Sequence, residues 1–201
     1  MAESFSVKIN SIDISTFTGD LEEFVVDSNV FLPTMFTILL KDEVLDPLTG
    51  ALKYTDNQLL FKVGAPVEIS VTTSDVPGEM LPVKNTLIHG EITAIEPVFD
   101  EDGGVMLRVR GFDRAHRLTI GKKTRTFGDA NPQFATLTDM QIVAKIVGEA
   151  GLAFKVDMSG LSDLKYHYVM QYDQSDWDFL WSRAQLLGYQ VYVEDRVLHF
   201  E

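Results

Sequence analysis

The sequence predicts a mainly β fold of the α+β kind, built from antiparallel strands and two principal helices. Apolar and polar residues alternate along much of about the first 120 positions, as they do in half-buried strands. Two later stretches, 139–150 and 177–187, show helical spacing behind strong N-terminal caps. Short β-rich runs flank the second stretch, so strands return at the end of the sequence.

The first half contains a series of predicted strands separated by turn signals. The strands lie at 5–9, 24–30, 35–41, 67–72, 87–96 and 105–112. The turns are DPLTG at 46–50, Pro77-Gly78, and the acidic loop DEDGG at 100–104, which joins the last two strands as a hairpin. This half is therefore expected to form a small antiparallel barrel or sandwich.

The first predicted helix begins at a capping box. Thr138 is the N-cap, and Gln141 stands where its amide can reach back to the N-cap backbone. Leu137 and Ile142 occupy the positions of a hydrophobic staple, and Gly151 ends the helix. An apolar stripe between these signals predicts the buried face: Ile142, Val143, Ile146, Val147 and Ala150.

The second predicted helix follows Ser175, a good N-cap residue. Asp176 and Asp178 stand in its first turn, where the helix dipole favours negative charge, and Gly188 supplies a left-handed residue after the last turn. Strands are predicted at 166–172, 189–193 and 197–200, the last two joined by a turn at 194–196. The apolar face of the helix consists of Trp177, Leu180, Trp181, Ala184 and Leu187.

Two domains are predicted, a β-barrel domain at 1–127 and a helix-containing domain at 128–201. The weakest boundary lies between Gly128 and Pro132, after the strand signals and before the first helix. No internal repeat, low-complexity tract or flexible linker interrupts either part.

Composition excludes several classes of function. The sequence has 30 acidic and 17 basic residues, a net charge of −13, which disfavours nucleic acid and anionic membrane surfaces as partners. It has no cysteine, so disulfides, thiolate metal sites and cysteine nucleophiles are excluded. The N-terminus lacks a signal-peptide pattern, and no apolar run approaches the ~20 residues that span a bilayer, so synthesis in the cytoplasm is expected.

The acidic and aromatic stretch at 171–181 raises two alternatives to a structural role. One is a carbohydrate-active cell-wall hydrolase that uses Asp173, Asp176 or Asp178 with tryptophan platforms; the other is a non-catalytic binding module that exposes Trp177 or Trp181. However, Asp176 and Asp178 are two residues apart on the predicted helix, so their side chains point about 200° away from each other. The two carboxyl groups of a glycosidase instead face the same glycosidic bond. Capping and dipole interactions explain these acids more simply.

No catalytic residue, metal site or cofactor is predicted. His89 and Glu91 share a strand face and could form one edge of a metal site, but the remaining histidines are scattered singly. Neither a phosphate-binding loop motif nor a nucleophile-elbow motif occurs.

Two motifs resemble a known family. QYDQSDWDFL at 171–180, with Arg183, Gly188 and the strand YQVY at 189–192, resembles the signature Q-Y-x-E-S-D-x-x-F-[LV]-x-R-L-x-E-x-x-G-[IV]-x-Y of contractile injection machine hubs. LIHGEI at 87–92 resembles the F-H-G-x-[IV] strand of the same family, and GFDRAHRL at 111–118 resembles its protein D and extracellular-particle branch. Gln174 departs from the usual glutamate.

The family comprises the VgrG spike proteins of type VI secretion, the late-control protein D of phage tails and the spike proteins of extracellular phage-tail-like particles. The positions that carry its signature are expected to be structural: His89, Gly90, Gln171, Tyr172, Ser175, Asp176, Phe179, Leu180, Arg183 and Gly188.

The resemblance implies two tail-tube-like antiparallel β-barrels, the second of them incomplete within 201 residues. It further implies a non-enzymatic baseplate hub that forms a pseudo-hexameric homotrimer between the inner tube and the spike. The expected partners are the chain itself, the tail-tube protein, the spike tip and other baseplate proteins. The expected location is a phage-tail-like or secreted particle.

Overall fold

The chain divides into two compact units, Met1–Asp113 and Arg114–Glu201. The computed structural model describes residues 3–15, 19–29, 31–46, 48–74, 81–99, 104–128, 136–156, 164–194 and 196–201. Within these residues the fold is mostly β with few helices, so the predicted fold class is confirmed.

The first unit is built on one antiparallel sheet of seven strands, which curls into a half-barrel. Its strands are β1 (Glu3–Ile9), β2 (Ile12–Asp13), β3 (Leu21–Asp27), β4 (Met35–Asp42), β7 (Pro66–Thr73), β8 (Val83–Phe99) and β9 (Val105–Asp113). In the sheet they lie in the order β2-β1-β7-β8-β9-β4-β3. Their alternating residues bury one face, which includes Val7, Ile38, Ile69 and Val109.

Two glycines of this sheet make room for a buried ring. Phe36 is 0% exposed and lies opposite Gly111 in the β4–β9 pairing. A Cβ at Gly111 would lie 2.4 Å from Phe36 Cζ and 2.1 Å from the carbonyl oxygen of Glu91, and one at Gly90 would lie 2.9 Å from Phe36 Cε1. The ring therefore packs directly on backbone where β8 and β9 adjoin.

A short hairpin and a turn-rich segment between β4 and β7 are held to the sheet by two carboxylates. The hairpin consists of β5 (Val44–Asp46) and β6 (Ala51–Leu52). Asp42, 6% exposed, accepts bonds from the backbone N–H groups of Tyr54 and Thr55 at 2.8 and 2.9 Å. Asp20 accepts from Lys53 Nζ at 2.7 Å and from the Tyr54 hydroxyl at 2.5 Å.

The second unit combines three helices with two small sheets. The helices are α1 (His116–Thr119), α2 (Asp139–Glu149) and α3 (Asp176–Leu187). One sheet pairs β10 (Lys123–Gly128) with β12 (Tyr168–Gln174). The other sheet contains β11 (Ala153–Val156), β13 (Val191–Glu194) and β14 (Val197–Phe200), with β14 in the centre. Strands β11 and β14 are parallel, a pairing that the sequence did not predict.

Both predicted helices are confirmed, with their caps. Thr138 Oγ1 accepts from the Gln141 backbone N–H at 3.4 Å, and Gln141 Oε1 accepts from the Thr138 N–H at 2.9 Å. Ser175 caps α3, and Gly188 ends it at φ 74°. Four of the five residues predicted for the apolar face of α2 are buried, and Ala150 is half-buried. Helix α1 was not predicted.

The two compact units divide at Asp113/Arg114. The physical reason is strand pairing: β10 pairs with β12, 40 residues or more along the chain, and not with a strand of the large sheet. Residues 114–127 thus fold with the helices.

Several predicted features fall partly or wholly on residues outside the described ranges. These are the Pro77-Gly78 turn, most of the 100–104 hairpin loop, the boundary segment after Gly128, and one residue in each of the turns at 46–50 and 194–196. Among the helices of the described residues, none has the length and apolar character needed to cross a membrane.

Candidate functional site

The buried carboxylate of Asp176 is the centre of the signature residues in the second unit. Asp176 is 5% exposed and accepts bonds from Lys123 Nζ at 2.6 Å, Arg125 Nη2 at 2.6 Å and Gln171 Nε2 at 2.9 Å. Strand β10 carries both cations and β12 carries Gln171 opposite Arg125. The pairing of these strands therefore brings three donors to the first turn of α3.

Gln171 and Arg125 extend this cluster to α2. Gln171, 0% exposed, accepts from Arg125 Nε at 2.8 Å and donates to the carbonyl oxygen of Gln174 at 3.1 Å. Arg125 Nη1 donates to Glu149 Oε2 at 2.5 Å. The guanidinium carbon lies 5.0 Å from the centre of the Phe127 ring. One arginine thus connects both long helices and the β10–β12 sheet.

Beneath the charged cluster lies the apolar core of the unit. Phe179 is 2% exposed and stacks on Phe127 with ring centres 5.4 Å apart and planes 9° apart. Leu180 is fully buried next to it in the chain. Phe179 was not part of the predicted apolar face of α3, which shows that the buried stripe is wider than predicted.

Ser175 and Asp178 form the N-terminal cap of α3. Ser175 Oγ accepts from the Asp178 backbone N–H at 3.1 Å and donates to Asp178 Oδ2 at 2.6 Å. The capping interpretation of Ser175 and Asp178 is therefore confirmed. For Asp176 the same interpretation was incomplete, because its carboxylate is buried against two cations.

A second buried carboxylate binds the signature arginine. Asp139, 2% exposed, accepts from Arg183 Nε at 2.7 Å, and the Arg183 guanidinium lies 4.6 Å from the centre of the Tyr166 ring. Burial, and then the bond to Asp139, raise the pKa of Tyr166 above its usual value. Arg183 therefore joins the C-terminal half of α3 to the first turn of α2.

Tyr172 and Asp173 lie outside this cluster. Tyr172 is 69% exposed, and the Asp173 carboxylate is 3.4 Å from Lys122 Nζ at the surface. Asp173 adopts φ 46°, a left-handed conformation that aspartate tolerates better than most residues. Trp177 is 5% exposed, so it offers no binding platform, and Trp181 is half-buried.

His89 and Gly90 lie in the first unit, on β8. His89 is half-buried opposite Glu68, and Gly90 is one of the two glycines beneath Phe36. Glu91 is 6% exposed. Within the described ranges, no three His, Asp or Glu side chains are grouped so that they could hold a metal ion.

Chemically, the arrangement around Asp176 is suited to joining elements rather than to catalysis. The three acids proposed for a hydrolase bind different partners: Asp173 lies near Lys122, Asp176 binds Lys123 and Arg125, and Asp178 binds Ser175. A glycosidase instead needs two carboxyl groups that face one substrate.

The sequence analysis did not identify four residues of these two ion-pair groups: Lys123, Arg125 and Glu149 around Asp176, and Asp139 beside Arg183. The sequence pattern that could have indicated the two cations is KTRTF at 123–127. Lysine, arginine and phenylalanine alternate there with threonine, as in a strand with charged and aromatic side chains on one face.

Solved structures similar to this chain include proteins of tails and of type VI secretion. The chain is similar to a tail protein from Neisseria meningitidis MC58, with 15% identity over 99% of this chain and 50% of that one, at a TM-score of 0.64. It is also similar to an E. coli component of the type VI secretion system, described as similar to the T4 tail proteins gp27 and gp5, with 16% identity over 97% and 49% and a TM-score of 0.52.

A third similar structure is a chain of the PdpA–VgrG complex, with 11% identity over 99% of this chain and 35% of that one, at a TM-score of 0.52. At such identities the similarity shows the fold alone, which is the tail-tube-like β fold that the signature implied. The chain spans about half the length of the first two structures.

No curated protein matches the chain in sequence. A family model does match it, under a name that differs from those of the expected hub families. This model is described as the Alg8 N-terminal domain and matches residues 53–201. The chain belongs to the Alg8 N-terminal domain family.

Proposed function

We propose that the chain is the N-terminal part of a hub or spike subunit in a contractile injection machine, a phage tail, a type VI apparatus or an extracellular tail-like particle. The observation that carries this proposal is that almost the whole chain, 97–99% of it, shares its fold with tail and type VI proteins. In this role the protein is a structural component of a tail-like particle and has no enzymatic activity.

The contacts of the signature residues support a structural role. Gln171, Asp176 and Arg183 are held by buried bonds that join α2, α3 and the β10–β12 sheet. Buried bonds of this kind fix the positions of the elements that they join.

In the intact subunit, three copies form a ring with the pseudo-sixfold symmetry of the inner tube. One face of this ring binds the tail-tube protein, and the other bears the spike tip and further baseplate proteins. Each subunit contributes two barrel-related halves, residues 1–127 and 128–201. A threefold ring is a closed heterologous assembly, in which each copy uses two different surfaces.

The test is the assembly state of the full-length subunit produced together with its tube protein. We expect light scattering to give three copies, and electron microscopy to show a threefold ring on the end of a tube. A matched pair of variants controls for packing: Asp176→Asn should weaken the ring, while Asp178→Asn, a more exposed neighbour in the same helical turn, should leave it intact. A full-length subunit that stays monomeric at high micromolar concentration contradicts the proposal.

A separate test addresses enzymatic activity. Asp173 and Asp178 are exposed, so the double change to Asn should preserve the fold. Peptidoglycan or glycan hydrolysis by the wild-type protein that disappears in this double variant would contradict the structural role and favour the hydrolase.

A further inference from the structure

The large sheet of the first unit has two ends that approach each other without pairing. β3 is the last strand at one end, and β1 lies next to the other end, where β2 pairs with only its last two residues. The curl of the sheet brings the ring of Phe5 on β1 to 5.3 Å from the ring of Phe24 on β3, measured between ring centres. Within the described residues no backbone pairing joins β1 to β3, so a seam remains between residues 4–6 and Leu21–Asp27.

The inner side of this seam is apolar. Phe24 and Val26 of β3 pack against the core of the unit. Phe5 alternates with the buried Val7 and Ile9, so its ring lies on the core face of β1, yet 48% of it is exposed. A segment that enters the seam therefore needs apolar side chains at the positions that face inward.

The outer side of β3 is acidic. Glu23 and Asp27 are exposed there, with Val25 between them. Glu22 pairs with Lys41 at 2.7 Å, but neither Glu23 nor Asp27 has a cation as a partner among the residues that the structure describes. Opposite charges on neighbouring strands stabilise a sheet, so a strand added to β3 needs cations at the positions that face outward.

The same carboxylates exclude a second copy of β3 as the occupant of the seam. If two β3 strands paired antiparallel about Val25, each Glu23 would lie opposite Asp27 of the other copy, and like charges in that position destabilise a sheet. Residues 1–113 contain 19 acidic and 7 basic residues in total, which adds to the repulsion between two first units. The contact therefore joins two different surfaces, as the contacts of a threefold ring also do.

Two strands of this chain carry cations two positions apart, but both are already engaged. On β9, Arg108 and Arg110 alternate with the buried Leu107 and Val109, and β9 has a neighbouring strand on each side. On β10, both cations bind Asp176. The occupant that fits the seam is thus a segment of a different protein.

We propose that the seam between β1 and β3 binds an extended segment of a different protein, in which apolar residues alternate with lysine or arginine. The segment adds a strand to β3, with its apolar side chains beside Phe5 and Phe24 and its cations beside Glu23 and Asp27. β3 has seven residues, so the contact is smaller than a standard protein interface and its dissociation constant is expected in the high-micromolar range. The proposal does not rest on the proposed hub function.

The first experiment titrates the 201-residue chain into a labelled synthetic peptide in which valine alternates with lysine, followed by fluorescence anisotropy. A peptide of the same composition with its lysines in one block should bind much more weakly, because only alternation places all cations on one face of a strand. Changing Glu23→Lys and Asp27→Lys together should weaken binding of the alternating peptide about tenfold or more.

The matched control changes Glu43→Lys and Glu194→Lys together. It alters the net charge by the same amount at two exposed positions outside β1 and β3. Because salt screens the attraction between distant charges, this control should change the affinity less than about threefold.

The second experiment locates the bound segment. Hydrogen exchange of the unmodified chain should slow at Leu21–Asp27 when the alternating peptide is added, a result that holds even if a substitution disturbs the fold. The sequence has no cysteine, so Val25→Cys gives a single thiol, which should form a disulfide with a peptide that carries cysteine at a central lysine position. Thr37→Cys, opposite Val25 on the next strand, should react far less.

Slower exchange in β3, together with binding that depends on alternation and on Glu23 and Asp27, supports the proposal. Equal binding of the two peptides would show general charge attraction and overturn it, as would no binding up to millimolar peptide. Association of the chain with itself through β3 also overturns it. None of these results depends on whether the full-length subunit forms a ring, so a failure of the proposed function is recognised separately.

Discussion

The two units of the chain are stabilised in different ways. The first relies on one large sheet whose ladders satisfy the backbone and whose buried face is apolar. The second has only small sheets, and buried ion pairs at Asp139 and Asp176 join its helices and strands. A large sheet therefore holds its shape largely through the backbone, whereas a unit of short elements depends more on specific side chains.

The sequence provides separate probes for the two units. Both tryptophans, Trp177 and Trp181, lie in the second unit, so tryptophan fluorescence follows its unfolding. Far-UV circular dichroism reports the helices of the second unit and, in addition, the strands, most of which lie in the first unit. Each prediction below changes one unit and is checked with both signals.

The largest effect is expected from Gly111→Ala in the first unit. The new Cβ would meet the Glu91 carbonyl oxygen at 2.1 Å and the buried Phe36 ring at 2.4 Å, so backbone must move. We expect a loss of about 3 kcal/mol or more in unfolding free energy. Chemical denaturation should shift the circular dichroism transition and leave the tryptophan transition in place. Equal shifts of both signals would contradict independent stabilisation of the units.

A smaller loss is expected from Asp176→Asn in the second unit. The change removes the counter-charge of Arg125 and Lys123, but the Lys123 side chain is 41% exposed, so part of its charge returns to water. We expect a loss of about 2–3 kcal/mol, below the range for fully buried pairs. The tryptophan transition should move.

Asp178→Asn is the matched control for Asp176→Asn, because it lies in the same helical turn and is exposed. It should cost no more than about 1 kcal/mol, the usual contribution of a cap. If both variants lose the same amount, the buried ion cluster does not hold the unit together.

Much of the fold was predictable because its signals are local. The capping box of Thr138 and Gln141, the Ser175 cap and the Gly188 stop involve residues within one or two turns, and all three are present in the structure. Strands predicted from alternation, such as 35–41 and 105–112, are confirmed to within about two residues.

The rest could not be predicted, because it depends on which strands pair. The position of Asp176 near Lys123 joins residues 53 positions apart, and the parallel β11–β14 pair joins residues 44 apart at Ala153 and Val197. A pattern along one strand gives its buried face but not its partner.

A pH-dependent effect is expected at Asp20 in the first unit. The bond from Lys53, and then the bond from Tyr54, lower the pKa of Asp20 below its ordinary value. Because the folded pKa lies below the unfolded one, this stabilisation is complete above about pH 4 and is lost as the pH falls through the folded value. Asp20→Asn should therefore cost about 1 kcal/mol at pH 7 and flatten the acid limb of the stability profile.

Glu22→Gln is the control for Asp20→Asn. Glu22 pairs with Lys41, whose side chain is 57% exposed, so its removal should change stability by less than about 0.5 kcal/mol. An acid limb equally flattened by both substitutions would show that general surface charge, and not the bonds to Asp20, determines it.

The smallest effect, a gain, is expected from Gly148→Ala in the second unit. Gly148 lies in the last turn of α2, and a Cβ there would meet no atom within 4 Å. Alanine loses less backbone entropy on folding than glycine, so the unfolding free energy should rise by about 0.5–1 kcal/mol. The tryptophan transition should move to higher denaturant while the circular dichroism transition of the large sheet stays in place. A loss of stability would mean that a side chain at position 148 contacts a neighbouring element. The effect of Gly148→Ala would then have the same sign as that of Gly111→Ala, in which the new Cβ meets packed backbone.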